Sequence, residues 1–157
     1  MPTIELSTHI DAPQDRVFDL ARSIDAHMAS TGRSREEAVA GRTSGLIECG
    51  ETVTWRATHF LVRQTLTVRI TAMERPYRFT DEMTDGAFAA MKHTHTFVPA
   101  GNGTIMIDEF TFQAPWGLLG RLAERCFLTA YMRKFLQQRA HVLKSIAEGE
   151  AWREYLR

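Results

Sequence analysis

Residues 104–148 read TIMIDEFTFQ, then APWG, then LLGRLAERCFLTAYMRKFLQQRAHVLKSIAE, and the period of the apolar side chains changes at the join. Before Ala114-Pro115-Trp116-Gly117 the period is two. Met106, Asp108, Phe110 and Phe112 share one face of an extended chain, as in a half-buried strand. After it the spacing is helical, carried by Leu119, Leu122, Ala123, Cys126, Phe127, Ala130, Tyr131, Phe135, Val142 and Ile146. A helix of about 30 residues is roughly 45 Å long. The chain offers no second apolar helix to cover it, so it has to lie on a sheet.

The preceding residues supply that sheet. Residues 88–98 put Met91, His93, His95 and Phe97 on one parity, and Pro99-Ala100-Gly101-Asn102-Gly103 is a turn. Residues 77–84 carry Phe79 and Met83, residues 64–73 set Leu66, Val68 and Ile70 against three threonines and Arg69, and residues 51–62 group Val53, Trp55, Ala57 and His59. Gly45–Gly50 reads as one more short strand. At the start of the chain, residues 3–11 alternate through Ile4, Leu6 and Ile10. Ala12-Pro13 then leads into a short helix, since proline loses no hydrogen bond in a first helical turn. Residues 22–45 have no clear period and are expected to be the most mobile. Within them Ser34-Arg35-Glu36-Glu37 has capping-box spacing and predicts a helical turn over 34–40. Residues 149–157 read as a polar tail.

The expectation is one α+β domain over 1–157 with its core at 3–148. It has the order β-α-β6-α: a curved antiparallel sheet of about seven strands wrapped around a long C-terminal helix. One helix across a concave sheet leaves an apolar hollow, the usual setting for a small-molecule site.

Composition narrows the function classes. With 157 residues, 44% hydrophobic and 24% charged, the chain suits a single globular core rather than disorder. Lys plus Arg equals Asp plus Glu at 19 each, so no net field recruits nucleic acid. The excess of base over acid in 121–157 reads first as a solvated helix face made of Arg121, Arg125, Arg133, Lys134 and Arg139. Cys49 and Cys126 are too few for a disulfide framework or a zinc site, which fits a reducing compartment. The N-terminal residues lack a signal-peptide pattern and no run is long enough to span a bilayer, so a cytoplasmic protein without stable membrane insertion is expected. Phosphate-loop, dinucleotide and Gly-x-Ser-x-Gly patterns are absent, and no cofactor is expected.

The order of elements, with Ala12-Pro13 followed by Val17-Phe18, resembles the START-like, or SRPBCC, helix-grip superfamily. Its ligand-binding branch, sometimes labelled as related to cell-division inhibitors, is resembled in five segments. They are Glu51–Phe60, Asp85-Gly86-Ala87-Phe88, His93–Phe97, Gly103–Asp108 and Ala114–Gly120. The resemblance covers residues 3–148 and implies a cavity for an apolar or amphipathic molecule. It does not select among the lipid carriers, polyketide cyclases and co-chaperone domains of the superfamily. The hydroxylase subunits of that superfamily carry an iron–sulfur domain with paired Cys and His, a pattern this chain does not repeat.

Four polar residues fall on inward parities: His59, His93, His95 and Asp108. Histidine beside carboxylate suits acid–base chemistry, a satisfied buried network, or a metal ion held by all four. Candidate cavity walls are Trp55, Val68, Phe79, Met83, Phe88, Met91, Phe97, Met106, Phe110, Phe127 and Tyr131, for each of which plain core packing is the alternative. The hydroxyl of Tyr131 needs a partner if buried. The reading is a carrier or sensor of a hydrophobic or amphipathic small molecule, with no residue assigned to catalysis or to metal. The alternative is a cyclase or dehydratase acting on a polyketide-like substrate, and the third is an interaction module. Exposed edge strands leave room for a homodimer.

Overall fold

Strand β1 (Thr3–Ile10) runs antiparallel to β7 (Gly103–Gln113), setting Leu6 opposite Asp108 and Ile4 opposite Phe110. The sheet then continues backwards along the chain through β6 (Ala90–Ala100), β5 (Arg78–Gly86), β4 (Val62–Glu74), β3 (Thr52–His59) and β2 (Glu37–Gly41). The order β1-β7-β6-β5-β4-β3-β2 makes one seven-stranded antiparallel sheet. Register shifts in the β4–β5 and β2–β3 pairs mark bulges, which bend and twist a sheet locally. The structure is a computed structural model and describes residues 1–32 and 34–157.

Helices α1 (Gln14–Ala21) and α2 (Ile24–Ser30) connect β1 to β2. Val17, Phe18, Leu20 and Ala21 of α1 are buried. Phe18 meets Phe79 and Phe97 edge-on, with ring centroids 5.5 and 5.3 Å away. Each such buried ring contributes about 1.5–3 kcal/mol. Ser23 caps α2, its hydroxyl accepting the Ala26 N–H at 3.1 Å. The long C-terminal helix spans Gly117 to Glu148 in three pieces: α3 (Gly117–Ala123), one π-helical turn (Glu124–Leu128) and α4 (Thr129–Glu148). Met132, Leu136, Ala140, Leu143, Ile146 and Ala147 are its buried stripe in α4. The fold is α+β, a helix gripped by an antiparallel sheet, as expected.

Several local expectations are corrected. Residues 34–40 hold no helical turn, because the capping-box groups are used elsewhere. The Ser34 hydroxyl donates to Thr31 O at 2.9 Å, Glu36 binds His27, and Glu37 pairs with Arg56. The chain there is strand β2, with Ala38 opposite Trp55. Helix α2 and strand β2 thus occupy much of the segment expected to be patternless; Arg33 lies outside the described residues. Gly45–Gly50 is a loop, not a strand. Its backbone is held by Asp25, which accepts the Gly45 N–H at 2.8 Å, and by one isolated bridge between Ser23 and Leu46.

In the long helix, Leu119, Leu122, Cys126 and Phe127 are exposed rather than in the buried stripe. The π turn inserts a residue and rotates α3 relative to α4. The tail forms a short helix, α5 (Trp152–Tyr155), and Trp152, Tyr155 and Leu156 pack against the core. Arg16 stacks on the Trp152 ring at 4.1 Å. Among the described residues no helix is long and apolar enough to cross a membrane.

Candidate functional site

Between sheet and helix lies a cavity of about 500 Å³. That is within the ~300–1,000 Å³ range of small-molecule pockets. The walls are apolar: Trp55 and Val68 from the β3–β4 side, Phe79 from β5, Met91 from β6, Phe110 from β7, and Phe135 and Leu136 from α4. The mouth is framed by Phe60 at the β3–β4 turn, Phe88 between β5 and β6, Trp116 before α3, and Phe127 and Tyr131 on the long helix.

The floor is polar, and cross-strand register builds it. Asp81 sits opposite His93, and His95 opposite Asp108, so two Asp–His pairs occupy adjacent positions on one face of the sheet. His95 is clamped between carboxylates, Nδ1 lying 2.8 Å from Asp108 Oδ1 and Nε2 3.2 Å from Asp81 Oδ2. His93 Nε2 lies 3.0 Å from the same Asp108 oxygen. The two imidazole rings are 3.8 Å apart.

Electrostatics separates the two rings. Burial works against a charge on His95, but its hydrogen bonds to Asp108 and Asp81 prevail and lift its pKa above the ordinary histidine value. Burial lowers the pKa of His93, and the charge on His95 lowers it further. Asp108 is held well below the carboxylate range by the two imidazoles despite its burial. The two neighbouring rings are thus displaced in opposite directions, His95 towards its charged form and His93 towards its neutral one.

Two further polar pairs line the cavity. His27 stacks on Trp55 with ring centroids 4.0 Å apart and bonds Glu36. Burial and nearby Arg139 push the His27 pKa down. His59 Nδ1 meets the Tyr131 hydroxyl at 2.8 Å. Burial depresses the His59 pKa and raises that of Tyr131, so both shifts favour a bond between a neutral ring and a protonated phenol. Among the described residues no buried side-chain nitrogen or oxygen is without a partner.

The sequence candidates are distributed as follows. Trp55, His59, Val68, Phe79, Phe88, Met91, His93, His95, Phe110, Phe127 and Tyr131 all line the cavity. Asp108 and Met106 border a small void behind the floor. Met83 lies off the cavity wall, its sulfur over Gly86. Phe97 is also off the wall, covered by Phe18. The four-residue metal set with His59 and Asp108 is not assembled, because His59 stands at the mouth with Tyr131. The residues that do converge are Asp81, His93 and His95, with one ligand atom each within 4.8 Å of the others. Both His95 nitrogens already face a carboxylate, Nε2 that of Asp81 and Nδ1 that of Asp108, so a metal ion would have to displace one of these contacts.

Beyond the sequence candidates, the lining also includes Phe60, Trp116, Phe135 and Leu136 and the polar groups Asp81, Arg139, His27 and Glu36. Asp81 shares the parity of Phe79, a signal the sequence carried. Arg139 continues the four-residue spacing Tyr131-Phe135-Arg139 and faces the cavity half-buried, instead of standing on the solvated face with Arg121, Arg125, Arg133 and Lys134. His27 and Glu36 come from the segment without a period and left no such signal.

The similarities of the chain agree with this architecture. The solved structure of TTHA0849 from Thermus thermophilus superposes with a TM-score of 0.76 at 20% identity, covering 92% of this chain and 95% of that one. A START superfamily protein from Mycobacterium smegmatis gives 0.70 at 10% identity, covering 93% and 97%. Major latex-like protein 151 of Panax ginseng gives 0.69 at 13% identity, covering 94% and 98%. These likenesses are of fold. No curated protein matches in sequence. The family model for polyketide cyclase / dehydrase and lipid transport matches residues 1–148, and to that family this chain belongs.

Proposed function

We propose that the chain binds one hydrophobic or amphipathic small molecule between sheet and helix and acts as its carrier or sensor. The observation that carries this reading is the cavity of about 500 Å³ with apolar walls and a closed Asp–His floor. Burial of a ligand's apolar body against Trp55, Val68 and Phe135 supplies affinity, at about 25 cal/mol per Å². The floor and Arg139 orient its polar end.

Native mass spectrometry of freshly purified protein tests the proposal. The expected result is an organic mass that is lost on denaturation and is missing from Ala57→Phe, which fills the cavity from β3. An empty wild type that also fails to bind the neutral dye N-phenyl-1-naphthylamine would overturn it. A retained mass near that of zinc, removed by a chelator, would instead make the histidines ligands.

A second reading rests on the opposite displacement of the His93 and His95 pKa values. Neighbouring groups pushed apart are how one site holds an acid and a base together. Neutral His93 would take a proton from the carbon beside a ligand carbonyl, with Asp108 stabilising the resulting imidazolium, as in a cyclase or dehydratase. In that case His93→Ala abolishes conversion of the molecule identified by mass while leaving it bound; a carrier shows no conversion to lose.

A further inference from the structure

The mouth of the cavity is built from residues that folding alone does not favour. The β3–β4 turn is two residues long, Phe60-Leu61, closed by His59 opposite Val62. Both turn residues have left-handed backbone, φ 51° and 63°. That geometry is adopted at least cost by Asn-Gly. Trp116, which enters α3, is also left-handed at φ 68°. Bulky side chains at such positions need a return, yet Leu61 is 99% exposed and Trp116 82%. Beside them Leu118, Leu119 and Leu122 of α3 are exposed too. Phe60 ties the turn to the helix, its ring centroid 5.9 Å from Phe127 and 4.4 Å from Tyr131. The apolar residues therefore form one rim around one opening.

Charge selects what the rim meets. Residues 58–63 and 115–127 carry three arginines, Arg63, Arg121 and Arg125, and one acid, Glu124. Glu124 is buried, its carboxylate accepting the Ala114 N–H, and Arg63 pairs with Glu37. Arg121 and Arg125 are exposed and have no ion-pair partner among the described residues. Exposed leucines and a tryptophan with arginines between them match a bilayer interface, where apolar tips enter the headgroup layer and guanidinium groups meet phosphates.

We propose that this rim docks the protein on an anionic lipid surface, with the cavity mouth facing the bilayer. The purpose of docking, exchange of a cavity ligand with the membrane, rests on the binding function above; the docking itself does not. Flotation with vesicles of phosphatidylcholine, with and without phosphatidylglycerol, tests it. The protein should float with the anionic vesicles, and less so at high salt.

Leu61→Gly should melt at a higher temperature, because the turn is relieved, and yet partition about tenfold less. That combination separates lost docking from lost folding. Arg121→Gln and Arg125→Gln should each cost roughly fivefold on anionic vesicles only. Absence of flotation, or flotation unchanged by Leu61→Gly, overturns the proposal. So does light scattering that shows a dimer dispersed by Leu118→Glu while vesicles are ignored, which would make the rim a self-association face. Dye binding in vesicle-free buffer tracks the cavity separately. Leu61→Gly should keep the dye, and Ala57→Phe should lose it but still float.

Discussion

The Tyr131 hydroxyl and His59 Nδ1 share a hydrogen bond of 2.8 Å that fastens the long helix to strand β3 at the cavity mouth. The two residues are 72 positions apart, and the bond adds a polar clasp to the ring contact of His59 with Phe135. Removing it with Tyr131→Phe leaves the His59 nitrogen without its partner while keeping the ring stacked by Phe60. The expected cost is about 1 kcal/mol in urea unfolding. Stopped-flow release of N-phenyl-1-naphthylamine should also become several-fold faster. Unchanged release with lowered stability would confine the clasp to a structural role.

His95 gives the protein a pH signature of definite sign. Its folded pKa is raised above the ordinary 6.5, so its stabilisation is complete below that value and is lost as pH rises through the folded pKa. His95→Gln leaves Asp81 and Asp108 buried without their cation, at a cost of about 3 kcal/mol. The gap between variant and wild type should be widest near pH 6 and narrow on the alkaline side. Urea midpoints measured across that range check this; a gap that widens with pH would mean His95 is neutral in the folded protein.

Glu124 is placed to hold the end of the sheet to the long helix. Its carboxylate accepts the buried Ala114 N–H at 2.5 Å, just where the chain leaves β7. Glu124→Ala strands that N–H, and an unfolding cost of about 2 kcal/mol is expected. Hydrogen exchange at Ala114 should accelerate at the same time. Exchange that stays slow would show that another acceptor takes over.

The strands of the meander were legible because each has one wet face and one dry face. Leu66, Val68 and Ile70 alternate against threonines, and Met106, Phe110 and Phe112 repeat the rule in β7. Strand β2 lies at the sheet edge with most of Glu37–Gly41 exposed, so no alternation marks it. Helix α2 is seven residues long and too short to display a period. Gly45–Gly50 reads as a strand because it is a short run bounded by glycines, but only Ile47 enters the core.

The cavity floor was half visible for the same reason. His93, His95 and Asp108 stand out by parity, whereas Asp81, which shares the parity of Phe79, is not among the groups the sequence reading picks out. His27 and Glu36 reach the cavity from chain segments whose position depends on tertiary packing rather than on any local repeat.

The π-helical turn at Glu124–Leu128 acts like the throw of a crankshaft. Its wide loop is closed by Thr129, whose hydroxyl donates to Glu124 O at 2.8 Å. One surplus residue there offsets the helix before it by about 100° from the helix after it. Deleting a single residue within the turn would leave α4 seated and swing Leu118, Leu119 and Leu122 round the shaft. One codon in that turn thus decides whether the lip of the cavity greets the outside or turns from it.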